Sequence, residues 1–172
     1  SVGYAQKLRG FEWGGLKFGT KYATLAGSSL IPNQKPSFKK RSKTFFENNF
    51  PFSAVHMNES NMKKYFKLIV DKKILFLRGY PSAIYRFARY LEDINKSLNL
   101  QSVFTTAEVL LPNQRKYIED FFDCNVFDNY GCKDGGGNAM ECSEHSGLHA
   151  STERSYLEIV KNGIDSNVGE ML

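Results

Sequence analysis

Apolar residues along this chain recur at two spacings, and the alternation between them predicts the architecture. Tyr4, Leu8 and Phe11 stand three and four apart, which predicts an opening helix ending near Gly14-Gly15. Residues 22–27 are a short apolar run closing on Gly27-Ser28-Ser29, the pattern of a buried strand and its turn. Residues 42–49 are read as a short helix. Asn58 or Ser60 can cap the next one, along which Met62, Tyr65, Phe66 and Ile69 form one stripe. Ile74-Leu75-Phe76-Leu77 reads as a compact buried strand. It runs into Arg78-Gly79-Tyr80-Pro81-Ser82, where Pro81 or Ser82 opens a helix. There Ile84, Phe87, Ala88, Leu91, Ile94 and Leu98 repeat at steps of three and four. Val103-Phe104-Thr105-Thr106 is the next strand. Pro112 starts a helix with Tyr117, Ile118, Phe121 and Phe122 on one face, and Val126-Phe127 begins another strand.

Strands and helices alternating at these lengths predict a parallel sheet with right-handed crossovers. After Gly135 the pattern shifts to short runs, 139–142 and 156–160, expected to be antiparallel. The expected fold is therefore α/β and three-layered: a mainly parallel sheet flanked by helices, with a short antiparallel strand and loop extension at the C-terminal end. The length suits one domain. Residues 1–172 are read as a single α/β subdomain, within which 130–160 is a region rich in Gly, Cys and His. The chain starts at Ser1 and stops in what reads as a turn entering a strand at 168–172, so a piece of a longer protein is expected.

Composition changes this picture in a few places. Apolar residues make up 41% and charged residues 24%, which sets aside disordered and fibrous classes. No apolar run approaches the roughly 20 residues that cross a bilayer, and there is no signal-peptide pattern. Three cysteines are an odd number, and two lie near histidines. This argues for a reducing compartment with thiols free or on metal. The net charge of +5 would draw anions such as nucleotides or nucleic acid. Lys35, Lys39, Lys40, Arg41 and Lys43 crowd into residues 32–43 beside two prolines, a surface loop whose functional alternative is a phosphate-binding patch. Nucleic acid is set aside as a partner, because basic and aromatic residues do not interleave as stacking platforms require. His56 stands alone and is read as structural or surface.

Candidate chemistry concentrates in residues 126–149. A strand that empties into a glycine-rich, carboxylate-bearing loop is where open α/β sheets bind ligands. Gly135-Gly136-Gly137 would let backbone amides approach a ligand closely. Neither G-x-x-x-x-G-K-[ST] nor G-x-G-x-x-G occurs, so P-loop and dinucleotide domains are rejected. Tyr130 at a strand end offers a ring to stack on a flat base, and Gly131 leaves room beside it. Asp134, four residues on, could hold Mg²⁺ against phosphate oxygens.

The segment Tyr130-Gly131-Cys132-Lys133-Asp134 resembles the tyrosine-glycine-x-threonine-glutamate motif of the adenylate-forming (acyl-activating) enzymes. Gly79-Tyr80-Pro81-Ser82, Thr105-Thr106-Ala107-Glu108, Asp128-Asn129, Glu141-Cys142, Gly147-Leu148-His149 and Leu157-Glu158-Ile159 follow in the order and spacing of the phenylacetate-CoA ligase and CapK branch. The resemblance implies ATP or AMP, Mg²⁺ and a small carboxylic acid as ligands, with CoA as a possible acceptor. It implies an acid activated to an acyl-adenylate, in a bacterial cytoplasmic protein of polysaccharide biosynthesis. By position, Ala107 and Glu108 would lie along the adenine, Asp128 and Asn129 would reach its edge, and Tyr130, next to Gly131, would stack on it. Asp134 would help hold Mg²⁺ and the phosphates. Two departures stand out: Lys133 replaces a hydroxyl residue, and Asp134 is one methylene shorter than glutamate. They leave open a non-catalytic nucleotide-binding module. The family's upstream phosphate loop, ribose-binding aspartate and C-terminal catalytic lysine have no counterpart in these residues, so the stretch is not expected to adenylate alone.

Cys132, Cys142, His145 and His149 form a second group. C-x₂-H-x₃-H over the last three is a zinc-like spacing, and Zn²⁺ takes S and N ligands tetrahedrally. A zinc here would be structural. The alternative is that His145, between Glu144 and Ser146, is merely solvated. Cys124 follows an apolar helix end and reads as a core residue. Glu119, Asp120 and Asp123 read as a solvated helix end, and Glu92 and Asp93 as an outer helix face.

Overall fold

The computed structural model describes residues 2–27, 48–131 and 137–153, together with the backbone of 159–161 and 169–171. The basic stretch 32–43, nearly all of the helix expected over 42–49, and Cys132, Lys133 and Asp134 lie outside the described residues.

Helix α1 (Val2–Trp13) leads into β1 (Tyr22–Ala26). Then follow β2 (Asn49–Ser53), α2 (Glu59–Lys72), β3 (Phe76–Gly79), α3 (Pro81–Asp93), β4 (Ser102–Thr106), α4 (Pro112–Phe122) and β5 (Asn125–Gly131). Short strands β6 (Asn138–Glu141) and β7 (Leu148–Ala150) follow. The sheet order is β2-β1-β3-β4-β5-β6-β7. The first five strands are parallel, and β6 and β7 add antiparallel at the edge. A separate antiparallel pair joins β8 (Ile159–Lys161) to β9 (Gly169–Met171). The three-layer, mainly parallel α/β architecture is the one expected.

Strand alternation divides the core in two. Leu77, Val103 and Val126 face α2, α3 and α4, where Ile84, Phe87, Leu91, Ile118 and Phe122 are fully buried. Their neighbours Phe76, Phe104 and Phe127 face the other way, onto Phe11 and Trp13 of α1. Gly79, where β3 meets β1, has no room for a side chain: a Cβ there would lie 2.1 Å from the Leu25 carbonyl oxygen.

Several boundaries differ from the sequence reading, each for a local reason. Asn58 caps α2 as expected, its side chain accepting from the Asn61 N–H at 2.9 Å. The strand read as 74–77 begins two residues later. Lys73 takes a left-handed conformation (φ 52°), and the Ile74 N–H bonds back to the Ile69 carbonyl. Ile74 thus closes the helix with its side chain buried, and Leu75 is left 47% exposed. The α3 stripe likewise stops before Ile94 and Leu98. Asn95 turns left-handed, and the Lys96 N–H returns to the Leu91 carbonyl. Asn49, read as the end of a helix, starts β2, an edge strand that accommodates Pro51 because it pairs only with β1. Neither β2 nor β7 was anticipated. Glu119, read as solvated, is half-buried and accepts the Val126 N–H at 3.0 Å. Glu92, although exposed, accepts the Tyr117 hydroxyl at 2.7 Å and ties α3 to α4. Burial, then this bond to Glu92, pushes the Tyr117 phenol up to about 12.

Candidate nucleotide cleft

β4 and β5 lie side by side with Thr105 opposite Asp128 and Thr106 opposite Asn129. Both threonines are buried, so their hydroxyls need partners. Thr105 Oγ1 donates to Asp128 Oδ1 at 2.6 Å, and Thr106 Oγ1 to Asn129 Oδ1 at 3.1 Å. The alternation that buries Val126 and Phe127 on opposite faces sends Asp128 and Tyr130 to the α3–α4 side and Asn129 to the other. Asn129 Nδ2 donates to Asn138 Oδ1 at 3.0 Å and to the Ala139 carbonyl at 3.1 Å. Its amide is therefore committed to joining β4, β5 and β6.

Past Thr106 the chain turns away through Ala107, which holds φ +66°, a conformation costly for a residue with a side chain. Glu108 then reaches the start of α3, where its Oε2 accepts the Ser82 N–H at 3.1 Å. A carboxylate at a helix N-terminus is favoured by the unpaired amides and the helix dipole.

These turns open a cleft of about 360 Å³ at the carboxyl ends of β4 and β5. Ala107, Glu108, Asp128, Asn129, Tyr130 and Gly131, the six residues expected to touch a nucleotide, all line it. Val109, Leu110 and Leu148 add an apolar wall that sequence reading missed. Val109 is 81% exposed and Leu148 45%, and because neither belongs to a periodic apolar stripe the sequence carried no signal for this wall. Tyr130 is 38% exposed, at the mouth and clear of both cores.

Beneath the cleft lies a charged brace that sequence reading also missed. Arg115 of α4 donates to the Val126 carbonyl and to Glu141 Oε2, both at 2.8 Å. Glu141 Oε2 also accepts the Asp128 N–H at 2.9 Å. With its side chain only 7% exposed, this carboxylate is satisfied by a cation and an amide at once.

The Cys/His group behaves differently. His145 packs on the Phe127 ring (centroids 4.9 Å apart), and its Nδ1 lies 3.5 Å from Glu141 Oε1. Both imidazole nitrogens are buried without a hydrogen bond among the described residues. His149 packs instead on Trp13 of α1, 5.1 Å between centroids. Cys142 is a half-buried free thiol. Among the described residues no group of three His, Cys, Asp or Glu side chains gathers as a metal site, and Cys132 lies outside them. The zinc set expected from the spacing is therefore not assembled by its three described members. Cys124 packs against the core as expected, and burial first, then Glu119 and Asp123, pushes its thiol up to about 12.

No protein-family model matches the chain. Its fold resembles that of solved acyl-CoA ligases. A 2-hydroxyisobutyryl-CoA ligase in the postadenylation state superimposes with a TM-score of 0.71 at 16% identity, over 94% of this chain and 35% of that one. A malonyl-CoA ligase product complex with methylmalonyl-CoA and AMP gives 0.56 at 12% identity, over 99% and 38%. The chain thus shares its fold with a part of each of these solved ligases. In sequence it is 31% identical over 131 residues to Protein CapK of Staphylococcus aureus, covering 72% of this chain and 28% of CapK. The likeness to CapK and the shared fold run in the same direction as the motif resemblance read from the sequence, whose residues line the cleft. It spans little more than a quarter of the CapK length.

Proposed function

We propose that this chain is the nucleotide-holding core of an ATP-dependent carboxylate-activating enzyme. The observation that carries the proposal is the convergence of Ala107, Glu108, Asp128 and Tyr130 on one cleft at the carboxyl ends of two parallel strands. There a purine would lie on the Tyr130 ring with one edge along Ala107-Glu108. Asp128, held by Thr105, would face the base or ribose.

In the proposed reaction an acid carboxylate attacks the α-phosphorus of ATP, forming an acyl-adenylate and expelling pyrophosphate. An acceptor, CoA being the first candidate, then takes the acyl group and releases AMP. Mg²⁺, when bound, would offset charge developing on the phosphates, with Asp134 as its ligand and Lys133 a second positive group. The described Cys and His residues do not fit a zinc site by themselves, and zinc has no step in this proposal. The likeness to CapK makes a bacterial cytoplasmic setting in polysaccharide biosynthesis part of the proposal. Among the described residues no helix is long and apolar enough to cross a membrane.

Lys133 and Asp134 in place of threonine and glutamate favour a second reading, a module that binds nucleotide without turning it over. Pyrophosphate–ATP exchange by the full-length protein, across a panel of acids, separates the two, since this stretch is not expected to adenylate alone. Acid-dependent exchange is the expected result, AMP binding without exchange would favour the module, and absence of nucleotide binding would sink both.

A further inference from the structure

A second cleft, of about 280 Å³, opens beyond Glu108, outside the carboxyl ends of β2 and β3. In the order β2-β1-β3 the chain reverses direction beside β1, and such switch points are where open α/β sheets leave a crevice for ligands. Ala54, Val55, Met57 and Ala83 make its apolar wall, and Arg86 of α3 stands on the same cleft. Glu108 lines both clefts, so the two are neighbours across one side chain. Its carboxylate is engaged by the Ser82 N–H, and Arg86 forms no hydrogen bond or ion pair among the described residues. An exposed guanidinium with no hydrogen-bonded or ion-pair partner among the described residues, beside an apolar wall, is suited to a small carbon skeleton ending in an anion, which Arg grips with two parallel N–H donors.

We infer that this second cleft holds the body of the acid activated in the first, and that Arg86 selects acids carrying a second anionic group. The inference rests on the nucleotide reading of the neighbouring cleft. A polyphosphate would gain nothing from the Val55 and Met57 side chains, whereas a short aliphatic diacid buries its methylenes on them and presents its far carboxylate to Arg86. The volume, near the lower end of ligand pockets, suits a compact acid over a long acyl chain.

The test titrates the protein calorimetrically with succinate, butyrate, AMP and ATP. Succinate and butyrate match in chain length and differ by one carboxylate. Succinate is expected to bind more tightly by about tenfold or more, the scale of a charged hydrogen-bonded pair. Arg86→Gln should erase that preference, Arg86→Lys should keep part of it, and AMP should stay within about twofold in both variants. Equal binding of the two acids, or a preference that survives Arg86→Gln, overturns the inference. So does an Arg86→Gln effect confined to ATP, which would assign the guanidinium to phosphate. Failure of AMP to bind while Arg86-dependent succinate binding persists would instead sink the nucleotide reading and leave an anion cleft.

Discussion

The cleft at the ends of β4 and β5 and the Cys/His stretch at 142–149 both carry chemically promising residues, yet they are built on different supports. In the cleft, Asp128, Asn129 and Tyr130 spring from β5, a strand of the sheet, and two buried threonines of β4 fix Asp128 and Asn129 from next door. In the Cys/His stretch the residues sit on a turn and a three-residue edge strand, and the rings leave for different neighbours. His145 goes to Phe127 and His149 to Trp13. Strand position fixes both the direction and the surroundings of a side chain, whereas spacing along a loop fixes neither.

Glu141 stands on the border of the two regions, and replacing it should have the largest effect. Glu141→Ala strips Arg115 and the Asp128 amide of their shared acceptor. It should lower the unfolding free energy by about 3 kcal/mol in urea titrations, near the low end for a broken buried pair because Arg115 is 27% exposed. A loss below about 1 kcal/mol would mean that the brace does not support β5. Thr105→Val removes one hydroxyl from the cleft floor. It should cost about 1 kcal/mol and weaken AMP binding several-fold by freeing Asp128, an effect that calorimetry reads directly.

The two described cysteines sharpen the contrast through pH. With the Cys124 thiol pushed up to about 12, only about one molecule in ten thousand carries its thiolate at pH 8, so it should resist iodoacetamide in the folded protein. The unfolded thiol ionises near its ordinary value of 9.0, and the folded one binds its proton more tightly. Cys124 therefore contributes no pH dependence below that value, and stability falls as pH rises from there towards 12. Rapid alkylation of Cys124 at pH 8, mapped by mass spectrometry, would contradict its burial. The smallest effect belongs to the Cys/His stretch. Cys142→Ser should shift stability by no more than about 0.5 kcal/mol and leave metal content unchanged. About one zinc per chain, lost on that substitution, would mean that Cys132 redraws the stretch into the tetrahedral set its spacing resembles.

Much of this was legible in the residues. Periodic stripes gave α1 to α4 and four of the five parallel strands, because buried faces impose their period on any chain that forms them. The cleft residues were legible through motif resemblance and the rule that ligands bind at strand ends. Three things were not. β2 was hidden by Pro51, which an edge strand tolerates. The Arg115–Glu141 brace joins residues 26 apart whose meeting depends on the antiparallel return of β6. The apolar cleft wall comes from Val109, Leu110 and Leu148, which belong to no periodic stripe.

A base lying against Tyr130 is tested most directly by AMP titration of the protein and its Tyr130→Ala variant. With the unfolding midpoints of the two proteins matched as a control, stacking requires the variant to bind AMP about tenfold or more weakly. Equal affinity in the two proteins would show that the purine lies elsewhere.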